Sequence, residues 1–215
     1  GTEQGGSEIV TTVGLSYKIN DDGTAYAVAG IGTATDTDIV IPSTYNGLPV
    51  TSIGEAAFQN CDGLTEITIP DSVTGIGSYA FQNCDGLTEI TIPDSVTSIG
   101  DGAFFGCSGL ESITVEAGNS VYHSSGNCLI QTGSKTLIAG CKNSVIPTDS
   151  SVTGIGNDAF SGCSGLTSIT IPDSVTGIGE WAFFECSGLT SITLPDSVTS
   201  IGECAFLHCD GLESI

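Results

Sequence analysis

The pair Ile-Gly recurs at Ile53-Gly54, Ile76-Gly77 and Ile99-Gly100, and again at Ile155-Gly156, Ile178-Gly179 and Ile201-Gly202, with 23 residues between copies in each run. The repeating unit reads I-G-x-x-A-F-x-x-C-x-G-L-x-x-I-T-I-P-D-S-V-T-x, and segments 64–78 and 87–101 are near-identical copies. A fixed period of this length specifies a stacked array, because one unit cannot bury its own apolar face and its neighbours must complete the core. At 215 residues the chain fits one continuous stack.

Within the unit, Leu64-x-x-Ile67-x-Ile69 is a leucine-rich-repeat strand signature with Ile allowed at the Leu positions. Ile67 and Ile69 alternate inward, Glu66 and Thr68 outward, and Pro70 ends the strand because it has no N–H for a ladder. Ala57-Phe58-x-x-Cys61 reads as one short helical turn across the back, with Gly63 as its left-handed stop. The predicted fold is therefore a leucine-rich-repeat solenoid, a right-handed α/β-type superhelix. It has a parallel sheet on one face and short helical turns and loops on the other. Phe58, Phe81, Phe104, Phe160, Phe183 and Phe206 are expected to stack as an aromatic ladder in its core.

Two regions depart from the period. Segment 15–32, turning at Asp21-Asp22-Gly23, reads as a β-hairpin capping the amino-terminal end. We expect residues 1–13 to be disordered, 14–52 to hold the cap and an imperfect first repeat, and 53–215 to form the stack. Between Ile99 and Ile155 the spacing is 56 residues, and the surplus predicts an inserted hairpin at about 122–145, flanking Gly133-Ser134-Lys135. The chain stops inside the strand Leu212-x-x-Ile215, so an uncapped end and end-to-end self-association are expected.

The unit I-P-D-S-V-T-x-I-G-x-x-A-F-x-x-C-x-x-L resembles the BspA-like leucine-rich repeat of the Treponema pallidum subclass, from Ile39 to Ile215. Val121-Tyr122-His123-Ser124-Ser125 is similar to insertions common in that family. The resemblance implies a secreted or surface-attached bacterial protein, acting in adhesion to host extracellular-matrix proteins or to other bacteria. It brings no catalytic residues and no cofactor.

Charge narrows the partners further. Asp and Glu number 25 against three basic residues, Lys18, Lys135 and Lys142, for a net charge of −22. Such a surface repels nucleic-acid phosphates and anionic membranes, and prefers basic or neutral partners. No apolar run is long enough to insert in a membrane. The chain opens on Gly1 rather than Met, so a targeting segment is expected to have been removed.

The outward strand positions are the expected recognition surface: Thr65, Glu66 and Thr68; Thr88, Glu89 and Thr91; Glu111, Ser112 and Thr114; Thr167, Ser168 and Thr170; then Thr190, Ser191 and Thr193. Strand propensity alone would also select Thr there. Tyr79 and Trp181 are alternative aromatic hot spots. The ladder Asp71, Asp94, Asp173 and Asp196 offers one carboxylate per coil, too few to converge on calcium, and is read as turn formation after Pro.

Cysteines at one repeat position, Cys61, Cys84, Cys107, Cys163, Cys186 and Cys209, read as small buried hydrophobes, because parallel Cβ vectors suit a disulfide poorly. Cys128 and Cys141 could bridge the insertion, while Cys204 is out of phase. Only His123 and His208 could serve a Cys–His nucleophile, and no phosphate loop or H-E-x-x-H motif occurs. The expectation is a binding protein and not an enzyme, either an adhesin or a targeting or spacer module of a larger secreted protein.

Overall fold

A computed structural model describes residues 10–213. Strands β1 (Ser16–Ile19) and β2 (Tyr26–Gly30) form an antiparallel hairpin at the amino-terminal end. The Asn20 side chain closes its turn by accepting the Thr24 and Ala25 N–H groups. The first coil follows with β3 (Asp38–Val40), β4 (Thr44–Tyr45) and β5 (Leu48–Ile53). Of the segment expected to be disordered, residues 1–9 lie outside the described residues. Thr12, however, donates its N–H to the Val40 carbonyl, and its Oγ1 accepts the Val40 N–H.

Each regular coil then carries two strands. The L-x-x-I-T-I segments give a front row: β6 (Glu66–Thr68), β8 (Glu89–Ile92), β10 (Ser112–Val115), β15 (Ser168–Thr170) and β17 (Ser191–Thr193). The V-T-x-I-G segments give a back row: β7 (Gly75–Ile76), β9 (Ser98–Ile99), β14 (Gly154–Ile155), β16 (Gly177–Ile178) and β18 (Ser200–Ile201). The back row pairs in parallel through Ile53↔Ile76↔Ile99 and Ile155↔Ile178↔Ile201, and the hairpin extends it through β2 and β5. The front row pairs in parallel as β3–β6, β8–β10 and β15–β17. The stack therefore has two strand-bearing sides instead of the single sheet expected from the sequence.

The expected helical turns do not form, and no helix occurs among the described residues. In Ala57-Phe58-x-x-Cys61 the N–H groups of Ala56, Phe58 and Asn60 donate to Ser78, Ala80 and Gln82 of the next coil. Ala56 and Asn60 adopt φ of 52° and 58°, which a right-handed helix cannot contain, and Gly63 is not the left-handed stop. The third side of each coil is thus a run of tight turns, bonded coil to coil. This turn ladder continues past the insertion: Asn60 bonds to Gln82, Asn83 to Phe105, Gly106 to Ser161, Gly162 to Phe184 and Glu185 to Leu207.

The recurring polar letters of the unit are explained by bonds to the preceding coil. Ser95, Ser174 and Ser197 donate to the carbonyls of Val73, Val152 and Val175 at 2.7–2.8 Å. Thr74, Thr97, Thr176 and Thr199 hydroxyls donate one coil back in the same way. The thiols of Cys84, Cys107, Cys186 and Cys209 donate at 3.0 Å to the carbonyls of Phe58, Phe81, Phe160 and Phe183. All nine cysteines are free, Cys128 and Cys141 included, and burial raises the Cys107 and Cys186 thiols to about 12. In the Pro-Asp-Ser-Val turns the Val N–H donates to the Pro carbonyl, and the Asp carboxylates are exposed.

The Phe ladder forms as two stacks. Phe58, Phe81 and Phe104 lie 5.6 Å apart, and Phe160, Phe183 and Phe206 lie 5.1 and 5.3 Å apart, with planes within 4° of parallel. Between them sits the insertion, a three-stranded meander of β11 (Tyr122–Ser125), β12 (Cys128–Gln131) and β13 (Thr136–Ala139). Strand β13 pairs in parallel with β14 and so restarts the back row. The Ile99 N–H donates to the Tyr122 hydroxyl. Residues of β12 and β13 divide between the two halves of the core, Leu129 and Ala139 with the first, Ile130 and Leu137 with the second. Of the strand expected at 212–215, and the end-to-end association built on it, residues 214 and 215 lie outside the described residues.

Candidate functional site

The outward residues of the front strands are exposed as the two-residue period requires, with Ser112 half-buried. They do not form one continuous surface. The insertion separates β10 from β15, and the ladder is also open between β6 and β8. At that opening Glu66, Thr68, Glu89 and Thr91 converge on a cleft of about 150 Å³ that Pro93 and Glu116 complete. Thr114 joins it through a 2.9 Å hydroxyl–hydroxyl bond to Thr91.

Other members of the predicted set are tied within the fold. The Thr65 hydroxyl donates to Asp38 Oδ1 at 2.7 Å. Glu111 pairs with Lys142 at 2.8 Å. Thr88 and Thr167 lend their carbonyls to the Glu111 and Thr190 N–H groups. Ser168 and Thr170 lie in register with Ser191 and Thr193, giving a hydroxyl-only patch beyond the insertion.

The acidic ladder divides too. Carboxylate oxygens of Asp71, Asp94 and Glu116 lie within 4.8 Å of one another, all exposed. Exposed acidic groups commonly gather in this way without an ion. The His208 ring packs edge-on against Phe184 at 5.6 Å, while the Cys209 thiol is buried on the Phe183 carbonyl. These neighbours in sequence therefore do not make a nucleophile–base pair.

Tyr79 and Trp181 are on the turn side, away from the front strands, at φ of 56° and 58°. Trp181 packs edge-on against Phe184 at 4.8 Å, and Phe105 reaches Phe184 across the insertion at 6.2 Å. Beside this shelf runs a groove of about 510 Å³ crossing five coils, lined by Asn83 and Asp85, Gly106 and Ser108, Gly162 and Ser164, Glu185 and Ser187, and His208 and Asp210. Sequence reasoning missed it. The available signal was a change of residue type at one repeat position, from Gln59 and Gln82 to Phe105, Ser161, Phe184 and Leu207.

Comparison with known proteins agrees with this geometry. The model of the BspA type leucine rich repeat region matches residues 35–149 and 132–215, in six copies. A leucine-rich repeat protein from Eubacterium ventriosum is similar at 24% identity and a TM-score of 0.54, over 94% of this chain and 69% of that one. The T. pallidum leucine rich repeat protein is similar at 25% identity and a TM-score of 0.51, over 94% and 89%. No curated protein matches the sequence.

Proposed function

Since the chain belongs to the BspA-type leucine-rich-repeat family, we propose that it is a non-catalytic binding protein, secreted or held at a bacterial surface. Its partner in this reading is a host extracellular-matrix protein, a mucin or glycan, or a surface protein or glycan of another bacterium. The observation that carries the reading is the convergence of Glu66, Thr68, Glu89 and Thr91 on the cleft where β6 and β8 part. There the backbone ladder is open, and two carboxylates stand beside two hydroxyls on an exposed strand face. A partner with basic or hydrogen-bonding groups meets complementary chemistry at that place, and the net charge of −22 draws basic partners to the chain as a whole.

Solid-phase binding to immobilised matrix proteins and mucin tests this. The parent chain is expected to bind saturably, with binding weakened as salt rises. A variant carrying Glu66→Lys, Thr68→Ala, Glu89→Lys and Thr91→Ala is expected to lose it. Saturable binding that survives those four changes would move the site off the strand face.

A second reading is favoured by the patch beyond the insertion, where Ser168, Thr170, Ser191 and Thr193 present hydroxyls and no charge. A surface this uniform suits a spacer or targeting module of a larger secreted protein. It predicts no saturable binding in the same assay.

A further inference from the structure

We propose that the turn-side groove is a binding site for an extended, uncharged oligosaccharide, independent of the strand-face cleft. The groove matches that chemistry in its walls, its charge and its period.

A pyranose is amphipathic, with hydroxyls around its rim and C–H groups on its faces. The groove has the corresponding asymmetry. Its lining carries amide, hydroxyl, carboxylate and imidazole groups from Asn83, Asp85, Ser187, Glu185, His208 and Asp210. The His208 ring belongs to that lining, and through it the groove adjoins Phe184 and then Trp181, in edge contact at 5.6 and 4.8 Å, with Phe105 6.2 Å from Phe184. Trp181 is 38% exposed, and Phe184 and Phe105 are half-buried, so ring surface is presented beside polar groups. A polar groove of about 510 Å³ with exposed ring surface adjoining it fits a ligand that needs both.

Charge selects within that class. Asp85, Glu185 and Asp210 line the groove and no lysine does, so sulfated or sialylated chains are repelled. Asp85 already accepts the Ser108 hydroxyl at 2.6 Å, the carboxylate–hydroxyl geometry a sugar would extend. The hydroxyls of a neutral sugar pair with such carboxylates as the Ser108 hydroxyl does.

The period selects further. Coils repeat at about the strand spacing of ~4.8 Å, close to the rise of roughly 5 Å per residue in an extended β-linked sugar chain. Five coils line the groove, so about four sugar rings would meet the same residue rows in succession. This continuity exists because the turn ladder bridges the insertion, whereas the front strand rows are interrupted there.

The site's side chains are also held at a conformational cost. Trp181, Glu185 and His208 sit at φ of 56–61°; Trp181 shares its left-handed position with Ala56, Tyr79, Gly102, Asp158 and Cys204, and Glu185 and His208 share theirs with Asn60, Asn83, Gly106 and Gly162. Glycine would relieve that cost at all three positions, yet large polar and aromatic groups stand there.

Trp181 is the only tryptophan, so its emission reports on the shelf directly. Cellotetraose and N-acetylchitotetraose titrated into the whole chain are expected to change that emission saturably for at least one of them, with matching heat in calorimetry. The variants His208→Ala and Asp210→Ala, each at an exposed position and checked by an unchanged melting temperature, are expected to weaken binding at least tenfold. The four-residue strand-face variant should bind the sugar like the parent, which separates this result from the fate of the strand-face reading. A saturable signal from tetralysine with none from either sugar would assign the groove to a basic peptide and overturn the proposal. So would no calorimetric response to either sugar, or sugar binding that is unaltered in both groove variants.

Discussion

Asp158 shows how single residues carry strain in this repeat. It occupies the left-handed turn position, φ 54°, shared with Ala56, Tyr79, Trp181 and Cys204. Half-burial, and then the nearby carboxylates of Asp101 and Glu180, raise its carboxyl above the ordinary value. A raised folded-state value means that its contribution to stability is fully present below the unfolded value of 3.8, and is lost as pH rises through the folded one. At neutral pH the ionised group therefore works against folding. Asp158→Asn keeps a residue suited to left-handed φ and removes the charge. We expect the variant to melt above the parent at pH 7, and the two to converge near pH 3, in paired thermal scans. A difference that is unchanged between the two pH values would remove the electrostatic cause.

Among the elements, the aromatic ladder was legible from the sequence and the turns around it were not. Phe81 is fully buried between Phe58 and Phe104, each 5.6 Å away. Phe81→Ala is expected to cost about 3–5 kcal/mol, read as a lowered denaturation midpoint. Phe206, half-buried with Phe183 on one side, should cost less when truncated in the same way. Equal losses would mean that stacking depth does not set the cost. The ladder could be foreseen because its spacing is the period itself. The front strands could be foreseen because their alternation lies within one copy. The back strands β7, β9, β14, β16 and β18 are two residues long, and their bonds run to other copies, so little of their signal lies within one unit. The apolar spacing of Ala57, Phe58 and Cys61 imitates a helix, while left-handed φ falls on Ala56, Tyr79 and Trp181, types that do not announce it. Asn60, Asn83, Gly106 and Gly162 did carry that information, since Asn and Gly favour this region. Of the candidate site, the cleft residues were named correctly as outward, but the gap between β6 and β8 that gathers them depends on where pairing fails. That is a property of the stack and not of any unit.

For the whole molecule, the decisive place is the seam where the turn of one regular coil meets the next across the insertion. The core divides into two clusters there, with the meander contributing to both. The halves are joined directly by the Gly106 N–H donating to the Ser161 carbonyl at 2.9 Å. Two glycines make that approach possible: Gly106 and Gly162 have φ of 71° and 73°, and a Cβ on Gly162 would lie 2.5 Å from the Gly106 Cα. Gly162→Ala therefore meets two obstacles, a left-handed backbone costing about 1–2 kcal/mol for an L side chain and a backbone contact that no rotamer can relieve. The control is Gly133→Ala in the β12–β13 turn, where an added Cβ meets nothing within 4 Å and φ is not left-handed. We expect Gly133→Ala to melt like the parent and Gly162→Ala to melt lower, with its calorimetric transition broadened or split as the two clusters unfold less as one. If the turn ladder is also what makes the groove continuous, the same substitution should weaken tetraose binding although Gly162 offers the sugar no side chain. A single sharp transition at the parental temperature would show that the meander alone couples the halves, and that the seam is a contact without mechanical consequence.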